Sequence, residues 1–183
     1  MCFCSPGHRI IRKFQYHGAA YRHTGFVSHV TIGIHVSIVK NNDSTSTDIL
    51  HEYFIPRRNL SQYIEGLKQI LPNEKLDLLN ITIRNVYPDT DSFLRYAEEE
   101  MFAFVMLFNQ KIDPGHEIEM KALSNSLARL AHSLDGTYYL PYRLHVEKTL
   151  FEKIYPQGNE FFKLKLKYDP EEIFQNRFYL YYR

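Results

Sequence analysis

Polar and apolar residues alternate in the stretch LLNITIRNV, residues 78–86. A period of two residues predicts a β-strand with one face on a core and the other face free of the core. The apolar row consists of Leu79, Ile81 and Ile83, and the polar row consists of Asn80, Thr82 and Arg84. The polar row has two interpretations, a solvated sheet face or a surface that faces a ligand, and the alternation alone does not separate them.

Three further strands are predicted around this one. Residues 49–56, ILHEYFIP, end at a proline. Residues 101–109, MFAFVMLFN, are apolar on both faces, which is typical of a central strand. Residues 137–144, TYYLPYRL, predict a fourth strand that is interrupted by Pro141.

Two stretches carry apolar residues at helical spacing instead. Residues 60–71 follow Asn59, a suitable N-cap, and their apolar stripe consists of Leu60, Tyr63, Ile64, Leu67 and Leu71. Pro114 opens a longer helix, for which Gly136 suits the C-cap. The stripe of this second helix consists of Ile118, Leu123, Leu127, Leu130, Ala131 and Leu134.

The elements follow one another in the order β-α-β-β-α-β, which predicts an α+β fold. The expected architecture is a ferredoxin-like (split βαβ) antiparallel sheet with helices on one face, plus C-terminal helices. Residues 40–48, KNNDSTSTD, are small and polar and mark the best domain boundary. We therefore divide the chain into an N-terminal segment, residues 1–45, which is poorly assigned and holds a candidate strand over residues 30–39, and a domain over residues 46–183.

Composition and charge exclude several classes of protein. The 183 residues include 22 basic and 21 acidic side chains, a balance that does not favour a nucleic-acid partner. No stretch reaches the roughly 18 apolar residues of a membrane span, and we expect no signal peptide. Cys2 and Cys4 form a C-x-C pair without a second half, so we expect free thiols, no metal site and a reducing compartment, the cytoplasm.

Two kinds of motif contain residues capable of acid–base chemistry. HEYFI at residue 51 and HEIEM at residue 116 lack the second histidine of H-E-x-x-H, so both are predicted to be surface residues rather than zinc ligands. GTYYLPYRLH, residues 136–145, places Tyr139, Tyr142 and His145 close together. These groups suit substrate binding and general-base catalysis, but a packed aromatic strand end with a surface histidine is equally compatible with the pattern.

Three motifs together resemble a known family. YDPEEIFQNRF, residues 168–178, resembles the closing motif Y-D-P-x-x-x-F-x-N-x-F of the FAD-linked oxidases of the vanillyl-alcohol oxidase superfamily. LLNITIRNV resembles a strand of that family's substrate domain, and GTYYLPYRLHVEKTLFEKIYP is similar to its substrate-contacting region. The resemblance covers about residues 46–183 and is nearest to the sugar-alcohol and aldonolactone oxidases.

The resemblance implies roles for individual residues. Arg84 falls on an arginine that holds the substrate or the charge of the reduced flavin, and His145, with Tyr142, would take the substrate's proton. The implied substrate-binding residues are Asn80, Thr82 and Tyr139, and the implied cofactor-binding residues are Asn176 and Arg177. Thr82 departs from the family pattern, because the aldonolactone branch often has Glu there, and this departure weakens the case for aldonolactone chemistry.

The resemblance also implies a missing part. In this family an FAD-binding domain with glycine-rich pyrophosphate loops precedes the substrate domain, and this chain, with 8 Gly, lacks such loops. The expected function is therefore that of the substrate (cap) domain of an FAD-dependent oxidoreductase that oxidises a hydroxylated substrate by hydride transfer to FAD. The expected partners are a small-molecule substrate and either a separate FAD-binding chain or a second copy in a homodimer. The alternative is a non-enzymatic ferredoxin-like module that binds a small molecule or a protein.

Overall fold

The computed structural model describes residues 14–15, 41, 43–73 and 76–183. Within them the strands are β1 (Phe14–Gln15), β2 (Ser46–Pro56), β3 (Asp77–Val86), β4 (Met101–Lys111) and β5 (Thr137–Tyr138). The α-helices are α1 (Leu60–Ile70), α2 (Pro114–His132), α3 (Lys148–Ile154), α4 (Gly158–Tyr168) and α5 (Arg177–Tyr182). None of the helices in this part of the chain combines the length and hydrophobicity that crossing a bilayer requires.

The strands form one sheet in the order β1-β3-β4-β2-β5. β4 lies between β2 and β3 and pairs antiparallel with both, and β5 pairs antiparallel with the other edge of β2. The predicted α+β class and the central position of residues 101–109 are confirmed. The sheet is not wholly antiparallel as predicted, because β1, from the poorly assigned segment 1–45, pairs parallel with β3. The strand predicted over residues 30–39 lies outside the described residues, as do both cysteines.

One face of the sheet packs against α1 and α2 and forms the main core. Phe104 of β4 lies at its centre, with its ring centroid 4.7 Å from that of Tyr63 on α1. The buried stripe of α2 consists of Met120, Leu123, Ser124, Leu127, Ala128 and Ala131. The prediction that Ile118 belongs to this stripe is wrong, since this side chain is 68% exposed. Leu127 stands nine positions after Ile118, and a helix of 3.6 residues per turn places residues with this offset on opposite sides.

A β-bulge between Leu78 and Asn80 interrupts the alternation along β3. Leu78 pairs with Phe108 and Asn80 pairs with the next residue of β4, Leu107. Leu79 therefore has no partner on β4, and it is 42% exposed. Ile81 and Ile83 pack against the core as predicted, but Leu79 does not, and Leu78 packs there in its place. The bulge corrects the predicted apolar row and leaves the polar row intact.

The predicted strand over residues 137–144 is much shorter than expected. Of these residues only Thr137 and Tyr138, which form β5, pair with β2, and the pairing ends after the N–H of Tyr139 donates to the carbonyl of Glu52 at 2.9 Å. Pro141 has no N–H for a strand ladder, so the chain leaves the sheet edge. Residues 139–146 form a loop beside the unpaired part of β2, here called the edge loop.

The two predicted helix caps differ from expectation. Asn59 precedes α1, but its side chain does not cap that helix; Nδ2 donates instead to the carbonyl of Leu134 at 2.8 Å. Gly136 follows α2, and its N–H donates to the carbonyl of Ala131 at 2.8 Å. The left-handed conformation in this turn belongs to Asp135, with φ of 58°, so Gly136 is needed for close packing rather than for its backbone angle.

We expect Gly136→Ala to lower the free energy of unfolding by about 1–3 kcal/mol. The new Cβ would lie 2.5 Å from the carbonyl oxygen of Phe54 and 2.8 Å from that of Ala131, and no side-chain rotation relieves contacts with backbone atoms. Urea denaturation measures the change. Gly115→Ala is the matched control, because its Cβ meets only Oδ1 of Asp113 at 3.1 Å, and there we expect a change within about 1 kcal/mol. Equal effects at the two glycines would contradict the steric explanation.

Candidate functional site

A buried carboxylate lies under the polar row of β3, on the sheet face opposite α1 and α2. The Glu52 side chain is only 2% exposed, and its Oε1 accepts a hydrogen bond from Nη2 of Arg84, which is 59% exposed. Further along β3, Nδ2 of Asn80 donates to Oγ1 of Thr82 at 3.1 Å. Asn80, Thr82 and Arg84 thus lie on one face, and Arg84 covers a carboxylate that was predicted to lie on the surface. We call this surface the open face.

Two tyrosines of the edge loop border the ion pair. The ring centroids of Tyr139 and Tyr142 lie 4.9 Å apart in an edge-to-face arrangement. Burial raises the pKa of the Tyr142 hydroxyl, and so do the charge of Glu52 and a hydrogen bond to it, while Arg84 opposes the shift. Tyr142 therefore stays protonated at neutral pH and offers a hydroxyl, not a phenolate.

The edge loop is held to α2 by side-chain bonds to its backbone. Nδ2 of Asn125 donates to the carbonyl of His145 at 2.9 Å, and Oδ1 of Asn125 accepts from the N–H of Glu147 at 2.9 Å. Arg129, one turn further along α2, pairs with Glu147 at 2.9 Å. The two bonds of Asn125 hold the end of the loop that carries His145, whereas the Arg129–Glu147 pair is solvent-exposed and contributes little.

A chain of hydrogen-bonding side chains, here called the polar chain, runs through the protein behind the edge loop. Nε2 of His51 lies 3.3 Å from Oγ of Ser124, and the same Oγ lies 3.3 Å from Nδ1 of His145. Nε2 of His145 lies 3.0 Å from Oε1 of Glu117. His51, Ser124 and His145 are buried, and the Glu117 side chain is about one-third exposed, so the polar chain connects the interior to solvent.

Both histidines of the polar chain are neutral at pH 7. Burial lowers the pKa of His51 to about 3, and the charges of His145 and Arg143 act in the same direction. Burial also lowers the pKa of His145, while Glu117 opposes the shift. A neutral imidazole can accept a proton, as the predicted base must, and both ring nitrogens of His145 already lie within hydrogen-bond distance of a partner.

Ser124, His145 and Glu117 are the side-chain types of a hydrolytic triad, but their surroundings do not support acyl transfer. Ser124 is only 3% exposed, and its hydroxyl also donates to the carbonyl of Met120 at 2.8 Å. It lies in the interior of α2, whose N–H groups are used in the helix and do not form an oxyanion hole.

The remaining predicted residues, Asn176 and Arg177, lie in a broad groove. This groove, of about 1410 Å³, also contains Tyr139, Tyr142 and His145 in its lining, but not the polar row of β3. Oδ1 of Asn176 accepts from the N–H of Tyr179 at 2.8 Å and so caps α5, and Arg177 is exposed. The structure thus forms two overlapping sets of the predicted residues, one around Glu52 and one along the groove, which share the two tyrosines and His145.

His51 and Ser124 are buried polar residues that were not predicted, although the periodicity of β2 and α2 indicates both. His51 and Glu52 were predicted to lie on the surface and are 7% and 3% exposed. His51 alternates with Tyr53 and Ile55, so a strand places it on the apolar face. Ser124 stands four residues after Met120 and three before Leu127, in the middle of the α2 stripe. A polar residue at a core position is the signal that was available for both.

Comparisons with known proteins leave the function open. The sequence matches no protein-family model, and no curated protein matches it. Among the described residues no three His, Cys, Asp or Glu side chains are placed to hold a metal ion.

Proposed function

We propose that this chain is the substrate (cap) domain of an FAD-dependent oxidoreductase that acts on the CH–OH group of a polyol, sugar or aldonolactone. The observation that carries the proposal is the Glu52–Arg84 pair on the open face, with the Tyr139 and Tyr142 rings beside it. The resemblance of residues 46–183 to the FAD-linked oxidases supports the same conclusion. In this proposal a separate FAD-binding chain completes the enzyme in the cytoplasm.

The donors of the open face suit one half of FAD better than the other. A guanidinium, an amide and a hydroxyl in one row are donors for the carbonyl and nitrogen edge of a flavin ring or for the hydroxyls of a sugar. A pyrophosphate instead calls for a glycine-rich loop at a helix N-terminus, and the chain has no G-x-G-x-x-G motif. We therefore assign to this face the flavin ring and the substrate, and to the missing domain the pyrophosphate.

Each residue of the site has a task in this proposal. A bound flavin would supply the acceptor for the hydride that leaves the substrate carbon. Arg84 places a positive charge where negative charge develops, and Glu52 fixes the orientation of that guanidinium. The Tyr142 hydroxyl, whose proton goes to Glu52, accepts a hydrogen bond from the substrate hydroxyl and so orients it, and Asn80 and Thr82 contact the remaining hydroxyls. His145 takes the proton that this hydroxyl loses.

A non-enzymatic binding module is the second candidate, and one observation favours it. Ile173 and Phe174 are 70% and 78% exposed on a loop whose shape is fixed, because both of their N–H groups donate to the carboxylate of Asp169, at 2.9 and 3.0 Å. Apolar side chains held in this way on a built loop are typical of protein contacts. Riboflavin binding separates the two candidates.

We expect the purified chain to bind riboflavin, which carries the isoalloxazine ring of FAD without the pyrophosphate, and to quench its fluorescence. Arg84→Gln should weaken this binding about tenfold or more, because a charge-assisted hydrogen bond contributes about 1.5–3 kcal/mol. Arg84→Lys keeps the positive charge but not the planar guanidinium. Its affinity for riboflavin should therefore lie between those of the wild type and Arg84→Gln. Fluorescence titration gives the dissociation constants.

The matched control is Arg129→Gln, a half-exposed arginine on α2 that pairs with Glu147 away from the open face. We expect wild-type riboflavin binding in this variant. Circular dichroism confirms that each variant is folded. If the wild-type chain does not bind riboflavin at millimolar concentration, or if Arg84→Gln and Arg129→Gln bind it equally, the flavin assignment of the open face is wrong and the binding module becomes the better reading.

A further inference from the structure

The Ser124 hydroxyl has two acceptors within reach. It lies 2.8 Å from the carbonyl oxygen of Met120 and 3.3 Å from Nδ1 of His145. A hydroxyl has one proton and two lone pairs, so it donates to one of these groups at a time. On its other side Nε2 of His51 lies 3.3 Å away and, in the tautomer whose Nδ1 accepts from the Tyr53 hydroxyl, donates to Oγ. The Ser124 hydroxyl can therefore rotate between two hydrogen-bonded positions.

Each position of the hydroxyl matches one charge state of His145. When His145 is neutral, Nε2–H donates to Glu117 and Nδ1 accepts from Ser124. When His145 is an imidazolium, Nδ1–H donates to Oγ, and the serine proton turns to the carbonyl of Met120. Every buried donor and acceptor has a partner in both states, so neither state carries the cost of an unsatisfied polar group.

A small cavity lies between the Ser124 hydroxyl and Glu52, the buried partner of Arg84 on the open face. It measures about 20 Å³, enough for one water molecule, and its lining includes Glu52 and Tyr142 on one side and His51, Ser124 and His145 on the other. These polar groups can supply the two to four partners that a buried water requires. A proton can therefore pass from the open face to His145 without a large movement of the chain.

We propose that His145 stores and releases one proton for the open face, and that Ser124 and Glu117 are the positioning residues for this exchange. The substrate hydroxyl of the proposed function gives a proton to the cavity water, and the water gives one to Nδ1 of His145. An O–H bond breaks at the hydroxyl, an N–H bond forms at Nδ1, and the water is regenerated. Release is the reverse transfer. The inference rests on the proposed function only for the source of the proton.

The charges around His145 favour a reversible exchange rather than a permanent charge. From α2 it faces Glu117, whose carboxylate stabilises the imidazolium, and Lys121, which opposes it. Arg143 in the edge loop also opposes it, and His51 of β2 is neutral. The other titratable groups that line the cavity are Glu52, Tyr53, Tyr138, Tyr139 and Tyr142.

The experiment is an NMR titration of the full chain labelled with ¹⁵N-histidine, without flavin. At pH 8 we expect His145 as the Nε2–H tautomer. On acidification Nδ1 should become protonated while the amide spectrum stays native. In Ser124→Ala the midpoint of the His145 titration should fall by at least one pH unit, which is a tenfold change in proton affinity. The reason is that Nδ1–H of His145 then has no acceptor. Ser124→Thr keeps the hydroxyl and should restore the wild-type midpoint. Glu117→Gln removes the counter-charge and should lower the midpoint.

The matched control is Ser126→Ala on the same helix. Its hydroxyl makes the same kind of bond, to the carbonyl of Ala122 at 3.0 Å, but the residue is only partly buried and has no bond to His145, so the substitution should leave the titration of His145 unchanged. An Nδ1–H tautomer at pH 8, a wild-type His145 that stays neutral until the chain unfolds, or equal midpoints in Ser124→Ala and Ser126→Ala would overturn the proposal.

If Ser124→Ala does not fold, Ser124→Thr and Glu117→Gln decide. Riboflavin binding is a separate readout, so loss of that binding with a normal titration refutes the proposed function alone.

Discussion

Between pH 6 and pH 4 the free energy of unfolding should fall by about 2.5 kcal/mol because of His51 alone. Its pKa is about 3 in the folded chain against an ordinary value of 6.5. In this window the unfolded chain binds a proton at His51 and the folded chain does not, so stability is lost as the pH falls. The lowered pKa of His145 acts in the same direction.

Aspartates make a separate contribution at lower pH. The pKa values of Asp89, Asp113 and Asp169 are lowered mainly by hydrogen bonds to their carboxylates. Their stabilisation is present above the ordinary aspartate pKa of 3.8 and is lost below it. The pKa of Glu117 is also lowered from its ordinary value of 4.5, so only the loss of stability above about pH 5.5 reports on the histidines alone.

Urea denaturation at pH 6, 5 and 4 tests this prediction with two variants. His51→Gln removes the titrating group, so the slope of stability against pH should decrease by up to about 1.4 kcal/mol per pH unit. His132→Gln changes an exposed histidine at the end of α2 and should leave the slope near that of the wild type. An unchanged slope in His51→Gln would show that His51 is not held neutral in the folded chain.

Phe104→Ala is expected to cost about 3–5 kcal/mol of unfolding free energy. The ring is fully buried on β4, the central strand of the sheet, and packs edge-to-face on Tyr63 of α1. The substitution removes apolar contacts between the sheet and the helices and leaves a cavity that the strand, paired with β2 and β3, cannot close.

Phe174→Ala is the matched control for this substitution. Its ring is 78% exposed, so removal should change the unfolding free energy by no more than about 0.5 kcal/mol. Denaturant curves for both variants, with equal m-values, give the comparison. A loss below about 1 kcal/mol in Phe104→Ala would mean that the core does not depend on the contact between β4 and α1.

Periodicity predicted the long helices and strands well, because an element that is buried on one face or on both carries apolar residues at regular intervals. The apolar run 101–109 corresponds to the central strand β4, and residues 60–71 correspond to α1 and the turn after it. The bulge at Leu79 left no such signal, because LLN fits a strand with or without an extra residue. The length of β5 was overestimated because aromatic residues suit strands and edge loops alike.

The candidate site was predicted in part. The polar row of Asn80, Thr82 and Arg84 follows from the alternation of β3, and its position on one face is a local property of a strand. Its partner Glu52 lies 32 residues away along the chain, on a strand separated from β3 by β4. No local pattern indicates such a pair, and the carboxylate was assigned to the surface.

The sequence by itself determined what depends on neighbouring residues: the main helices and strands, their order, and the polar row that faces away from the core. Only the tertiary structure decided which distant groups meet. Burial of His51, Ser124 and His145 follows from the packing of β2, α2 and the edge loop, and this burial holds both imidazoles neutral. Burial and charge depend on the whole surroundings of a group in space, and for that reason the properties on which the proposed chemistry depends had to be found in the fold.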